Sequence, residues 1–126
     1  MINNIIQILN DLSHFRNIFH SEADFQHSLG YLLSKKYDLD VRLEVPLYIT
    51  PYYSEMDEKL KVELDILMPK GKIGIELKYK TRGATFEQNG ETFNIKQHGA
   101  QNLGRFDFFD DIRRLQLIKR QGIIEK

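Results

Sequence analysis

The chain contains no cysteine, which excludes a disulfide framework, thiol catalysis and zinc–thiolate coordination together. It has no excess of charge of either sign. Eighteen basic side chains balance 18 acidic ones, so nothing suggests bulk electrostatic adhesion to nucleic acid or to a membrane, and any nucleic-acid contact must come from a local basic patch. No apolar run approaches the ~20 residues of a membrane span. The start Met1-Ile2-Asn3-Asn4 lacks the basic region of a secretory signal. A soluble, cytoplasmic protein with no membrane partner is therefore expected. No glycine-rich loop is present to cradle phosphate, and neither an internal repeat nor a low-complexity segment is visible. His14, His20, His27 and His98 have no metal-ligand spacing, and Ser13, Ser21 and Ser28 lack a nucleophile-elbow context.

What is present fits one compact domain. A length of 126 residues lies in the single-domain range and allows one hydrophobic core. Ile5, Ile6, Ile8, Leu9 and Leu12 cluster at helical spacing, so the segment 1–20 opens with a short amphipathic packing helix. Ser21-Glu22-Ala23-Asp24 reads as an N-cap followed by acids in the first turn, starting a helix that carries Phe25, Leu29, Leu32 and Leu33 to about Lys36. Val41 to Val45 alternates as a strand closed by Pro46. Tyr48 to Lys59, with Pro51 inside it, reads as a loop.

Two alternating lines follow, Val62 to Met68 and Lys72 to Lys80, separated by Pro69-Lys70-Gly71. Period-2 patterns on either side of a turn signal predict a hairpin. Pairing must place Val62, Leu64, Ile66 and Met68 on one face with Ile73, Ile75, Leu77 and Tyr79. The tightest such register sets Met68 opposite Ile73 and Ile66 opposite Ile75. It then sets Asp65 opposite Glu76 and Glu63 opposite Lys78. Cross-strand Cβ atoms lie about 5 Å apart, where like charges destabilise a sheet. Two acids opposed at that distance point to a divalent cation, since hard ions are held by one or two carboxylates with substrate phosphates and water. Further along, Asn89-Gly90 between strand-like runs marks a second hairpin pairing Phe86 with Phe93, residues 97–104 read as irregular, and Arg105 to Arg120 reads as a helix.

Asp65 on one strand and Glu76-Leu77-Lys78 on the next resemble the PD-(D/E)xK nuclease superfamily, whose signature is an acid followed by acid-x-lysine. Leu64 stands where the proline before the first acid is usual. The order of elements from Glu22 to Arg114 is similar to the superfamily's. The resemblance implies an α/β, restriction-endonuclease-like three-layer core, αβββα over residues 21–120, with the hairpin 84–96 inserted. The final strands of that core are missing, unless Gly122 to Lys126 starts one or a partner supplies them. It implies a metal-dependent phosphodiesterase, an endonuclease-type hydrolase of nucleic acid and preferentially of DNA. Asp65, Glu76 and the carbonyl of Leu77 would hold Mg2+ or Mn2+, Glu22 would complete the acidic cluster, and Lys78 would act on the attacking water and the charge building on phosphorus. Paired active sites are usual among resembling enzymes that cut both strands, so the resemblance allows a homodimer.

Each residue also has a plainer explanation. Glu22 shares the core-facing stripe with Phe25, Gln26, Leu29 and Leu33, which argues for a site role; its alternative is the about 0.3–1 kcal/mol that acids gain at a helix N-terminus from the macrodipole, which Asp24 already supplies. For Asp65 and Glu76 the alternative is a solvated sheet face, against which Leu67 on that face argues. Lys78 has a cross-strand ion pair with Glu63 as its alternative, worth under ~1 kcal/mol if exposed. Lys80, Arg82, Gln97, Gln101, Arg105 and Arg114 are candidates for positioning substrate along a phosphate-binding surface; a polar helix face, with Asp110 or Asp111 pairing Arg114, is the alternative. At the level of function the alternatives are a non-catalytic nucleic-acid-binding or protein-interaction module with a nuclease-like fold, and a metal hydrolase of a different substrate.

Overall fold

In the computed structural model, residues 5–50, 59–79, 83–95 and 101–126 are described, the side chains of Phe86 and of residues 101–108 excepted. They form a mixed α/β structure of three helices and two small antiparallel sheets. Among the described residues no helix is long and apolar enough to cross a membrane.

Helix α1 (Ile5–Phe15) buries Ile8 and Leu12, and α2 (Glu22–Lys35) buries Gln26, Leu29, Gly30, Leu32 and Leu33. Ser21 caps α2: its hydroxyl accepts the Asp24 N–H at 3.1 Å, satisfying one of the donors a helix start leaves open. Asp24 fixes the connection from α1. Its carboxylate accepts Nη1 of Arg16 at 2.8 Å and Nη2 at 2.5 Å, together with the His20 N–H at 2.8 Å. The guanidinium holds this carboxyl below its ordinary range.

The main sheet has the order β1 (Arg42–Ile49), β2 (Leu60–Met68), β3 (Ile73–Ile75), antiparallel throughout. Strand β1 runs on past Pro46, where the sequence pattern closes it; it pairs with β2 alone, and an edge strand tolerates the missing N–H of proline. A second sheet consists of β4 (Ala84–Gln88) and β5 (Glu91–Ile95), with Phe86 opposite Phe93. Asn89 and Gly90 take φ of 52° and 79°, the positive values that a two-residue Asn-Gly turn requires. Helix α3 (Gln101–Arg120) starts earlier than the sequence pattern suggests, so Gln101 to Gly104 is helical rather than irregular.

The β2–β3 register matches the pattern, with Met68 opposite Ile73 and Ile66 opposite Ile75. The expectation of a single apolar face along β2 does not survive. Val62 and Leu64 bury beside Ile49 and beside Leu117, Ile118 and Ile124, whereas Ile66 and Met68 bury beside Ile8, Leu12, Leu29 and Leu33. Leu67, between those two, joins the first group. The alternation therefore changes phase at Asp65. The chain at β1 does the same, since Val41, just before the strand, packs with the α1–α2 cluster and Val45 and Leu47 pack with the α3 cluster. Between them Glu44 adopts φ of 51° inside the strand. A left-handed residue turns the following backbone about its axis, so one strand serves first one helical layer and then the other.

After α3, the chain turns at Gly122, which has φ of 80°. The Gly74 N–H then donates to the Lys126 carbonyl at 2.8 Å, and the N–H groups of Glu125 and Lys126 donate to the Lys72 carbonyl at 2.7 and 3.2 Å. Residues 125–126 thus lie along the outer edge of β3, and Ile124 buries against the sheet.

Candidate active site

The phase change in β2 falls where the β2–β3 ladder stops. The last paired residues are Ile66 and Ile75. One step further, the Asp65 side chain enters between the strands and its Oδ2 accepts the Leu77 N–H at 2.7 Å. Side chains also take over the main-chain groups of Asp65. Its carbonyl accepts Nε2 of Gln26 at 2.7 Å, and its N–H donates to the Glu76 carboxylate. Buried backbone groups must find partners, and here two side chains supply what the ladder does not.

Helix α2 holds the diverging strand in place. Oε2 of Glu22 accepts the Tyr79 N–H at 3.0 Å, one helical turn before Gln26. The Tyr79 ring stacks on Phe25 at 5.6 Å between centroids and meets Phe19 edge-on at 5.9 Å. Its hydroxyl accepts the Phe19 N–H at 3.2 Å and donates to the Phe19 carbonyl at 3.3 Å. Anchored by this aromatic group, residues 76–79 leave the sheet, and β3 is shorter than the expected run to Lys80.

Glu76 stands beside Asp65, and its carboxyl is pushed up to about 7. Burial is the main cause, followed by the Asp65 charge; Asp111 adds to the rise and Arg114 opposes it. Oε1 of Glu76 is buried with no hydrogen-bond partner among the described residues. Asp111 on α3 is 4% exposed. Its Oδ2 lies 3.0 Å from Nζ of Lys78, and its Oδ1 pairs with Arg114. Asp65, Glu76, Lys78, Asp111 and Arg114 thus form one electrostatic group spanning β2, the strand extension and α3.

No family model, curated protein or solved structure matches this chain.

Of the residues singled out in sequence, Asp65 and Glu76 are adjacent, Lys78 faces the same group through Asp111, and Glu22 is turned to Tyr79. Among the described residues no three carboxylate, imidazole or thiol side chains converge on one ion. Lys80, Arg82 and Gln97 lie outside the described residues, as do the side chains of Gln101 and Arg105. Arg114 is drawn to Asp111, the pairing that the i,i+3 spacing allows.

Sequence reasoning missed Gln26 and Asp111 as members of this group. A glutamine on the apolar stripe of α2 was a signal for the first. For the second, the acid–arginine spacing on α3 signals only the local pair, and nothing in it points to Lys78. A groove of about 530 Å³ opens elsewhere, between α1 and α2, and none of these acids lines it.

Proposed function

We propose that the chain is a divalent-cation-dependent phosphodiesterase that hydrolyses nucleic acid, DNA in the first instance, from a restriction-endonuclease-like core. One observation carries the proposal: two carboxylates are held side by side at a break in the sheet, and one of their oxygens is buried without a partner. A carboxylate oxygen buried without a hydrogen bond is costly, and the Asp65 charge beside it adds repulsion that Arg114 opposes only in part. A hard cation removes that cost, and oxygen donors are what Mg2+ and Mn2+ select. Strain supports the same location. Glu44, at the register position across from Asp65, takes the left-handed conformation, which costs of order 1–3 kcal/mol and gathers at functional sites.

Asp65 and Glu76, with the carbonyl of Leu77, would hold Mg2+ or Mn2+, and Glu22 would support a ligand or a second ion from the start of α2. When bound, the ion supplies a water of lowered pKa and neutralises phosphate charge. The remaining work belongs to side chains. Asp65 keeps the Leu77 main chain in place, so the Glu76 and Lys78 side chains on either side of it are oriented together. Lys78 brings an ammonium to that edge, where it favours a deprotonated nucleophile and the negative charge of a pentacovalent phosphorus. Gln26 and Glu22 tie α2 to both strands and hold the opening between them at a fixed width.

The test is nicking of supercoiled plasmid and of single-stranded DNA with Mg2+ or Mn2+. Cleavage by the wild type that Asp65→Ala abolishes supports the assignment. Salt-sensitive DNA binding without cleavage would instead favour a binding module, and cation binding without DNA affinity a hydrolase of another substrate.

A further inference from the structure

We infer that Asp111 is a positioning residue for Lys78, an inference that rests on the phosphodiesterase reading above. The ammonium of Lys78 sits on the strand extension that has left the β2–β3 ladder, so the sheet does not fix it. Asp111 does, from a different element. Its side chain is 6% exposed and its Oδ2 lies 3.0 Å from Nζ of Lys78, while Arg114, one turn later on the same helix, holds its other oxygen. Arg114 thereby restrains the rotamer of Asp111, and Asp111 Oδ2, which has no hydrogen-bond partner among the described residues, draws the ammonium to it as an ion pair.

Helix α3 is anchored about two turns beyond Asp111. Leu117 and Ile118 are buried against Leu64 and Leu67 of β2, the residues that flank Asp65 and Ile66. The position of Lys78 is therefore set relative to the strand that carries Asp65. A lysine reaching the site from a strand end has four rotatable bonds and loses much of its effect if it wanders. A buried, clamped carboxylate restricts it without touching substrate. Asp111 also keeps Arg114 near Glu76, where the guanidinium opposes the repulsion from the acids.

The experiment is a double-mutant cycle on cleavage, with Asp111→Asn and Lys78→Met made singly and together and the steady-state constants measured with Mn2+. Asparagine has nearly the shape of aspartate, and thermal melts of each variant establish that the fold is kept. Positioning predicts that Asp111→Asn lowers kcat about 10- to 100-fold with KM little changed, the range seen when groups that orient metal-site side chains are lost. It further predicts that Asp111→Asn costs almost nothing in the Lys78→Met background, and that Asp111→Glu, which keeps the charge on a longer stem, recovers part of kcat. Equal losses in both backgrounds, or an unchanged kcat in a folded Asp111→Asn protein, would overturn the inference and leave the phosphodiesterase reading standing. If Asp111→Asn does not fold, Asp111→Glu with and without Lys78→Met decides by the same additivity criterion. A wild type that cleaves no substrate with either cation overturns both.

Discussion

Gln26 on α2 donates to the carbonyl of Asp65 at 2.7 Å, at a position that neither the β1–β2 nor the β2–β3 ladder pairs. The glutamine is 7% exposed, so water does not compete for that carbonyl. Replacing it by leucine keeps the volume and removes the donor. The expected result is a loss of about 1–3 kcal/mol of stability, the cost of leaving a buried acceptor unmade, read from chemical denaturation. A variant as stable as wild type would mean that Asp65 finds another donor and that α2 does not hold the break open.

Asp65→Asn separates charge from shape. The amide oxygen still accepts the Leu77 N–H, while the negative charge next to Glu76 disappears. Burial stays and repulsion goes, so the Glu76 carboxyl must titrate below its value of about 7 without returning fully to the ordinary carboxylate range. Carboxyl-carbon NMR titration of the two proteins decides this. An unmoved Glu76 would show that the two acids do not sense one another, and the cation site would lose its basis.

Much of this arrangement can be read in the chain before any coordinates. The alternation in Val62–Met68 and Ile73–Ile75 fixes the register, because a slip by one residue would turn every apolar side chain to the wrong face. The Asn89-Gly90 turn and the Ser21 cap follow from local backbone chemistry. The phase change at Asp65 was not legible, since it depends on the left-handed φ of Glu44 and on Gln26 reaching 39 positions along the chain. Period-2 patterns assume an unbroken pleat, and Val62 to Met68 keeps its pattern while the pleat breaks. The early end of β3 has a similar origin: the Asp65 side chain takes the Leu77 N–H, and Tyr79 is drawn to Phe19 and Phe25. Such competition between a side chain and a ladder is decided by tertiary contacts. Asp111 belongs to the same class, because its link to Lys78 joins a helix to a strand end that no spacing rule connects.

Gly74 offers a test of the packing on the other side of the sheet. A Cβ there would stand 3.0 Å from Cδ2 of Leu64 and 3.1 Å from both Cδ1 and Cγ2 of Ile124, tighter than most carbon contacts, so that these side chains must give by a few tenths of an ångström. Gly74→Ala is expected to cost about 1–3 kcal/mol, the usual range for overpacking, and to loosen residues 125–126 from the edge of β3. Ile124→Val removes one of the crowded methyl groups, so the double variant Gly74→Ala/Ile124→Val should regain part of the loss. Strict additivity of the two changes in thermal melts would argue that Ile124 is not what requires glycine at 74.

Glu76 also predicts how stability and cation binding depend on pH. Its carboxyl titrates at about 7 in the folded chain against an ordinary 4.5, so between these values the folded state keeps a proton that the unfolded state has released. Unfolding free energy must then fall as pH rises through this window, with the favourable contribution fully present below about 4.5 and lost above about 7. Asp24, held down by Arg16, acts in the opposite sense and only in acid, where stability falls as pH drops through its lowered value. The two effects occupy different ranges. Glu76→Gln should therefore flatten the decline between pH 4.5 and 7 and leave the acid limb unchanged, as followed by melting temperature across pH. A cation must displace the same proton, so Mn2+ affinity should climb about tenfold per pH unit below 7 and level off above it, with one proton released per ion taken up. Calorimetry in buffers of differing ionisation enthalpy counts that proton. Mn2+ binding that is independent of pH across this range, or that persists in Glu76→Gln, would place the ion somewhere other than beside Asp65.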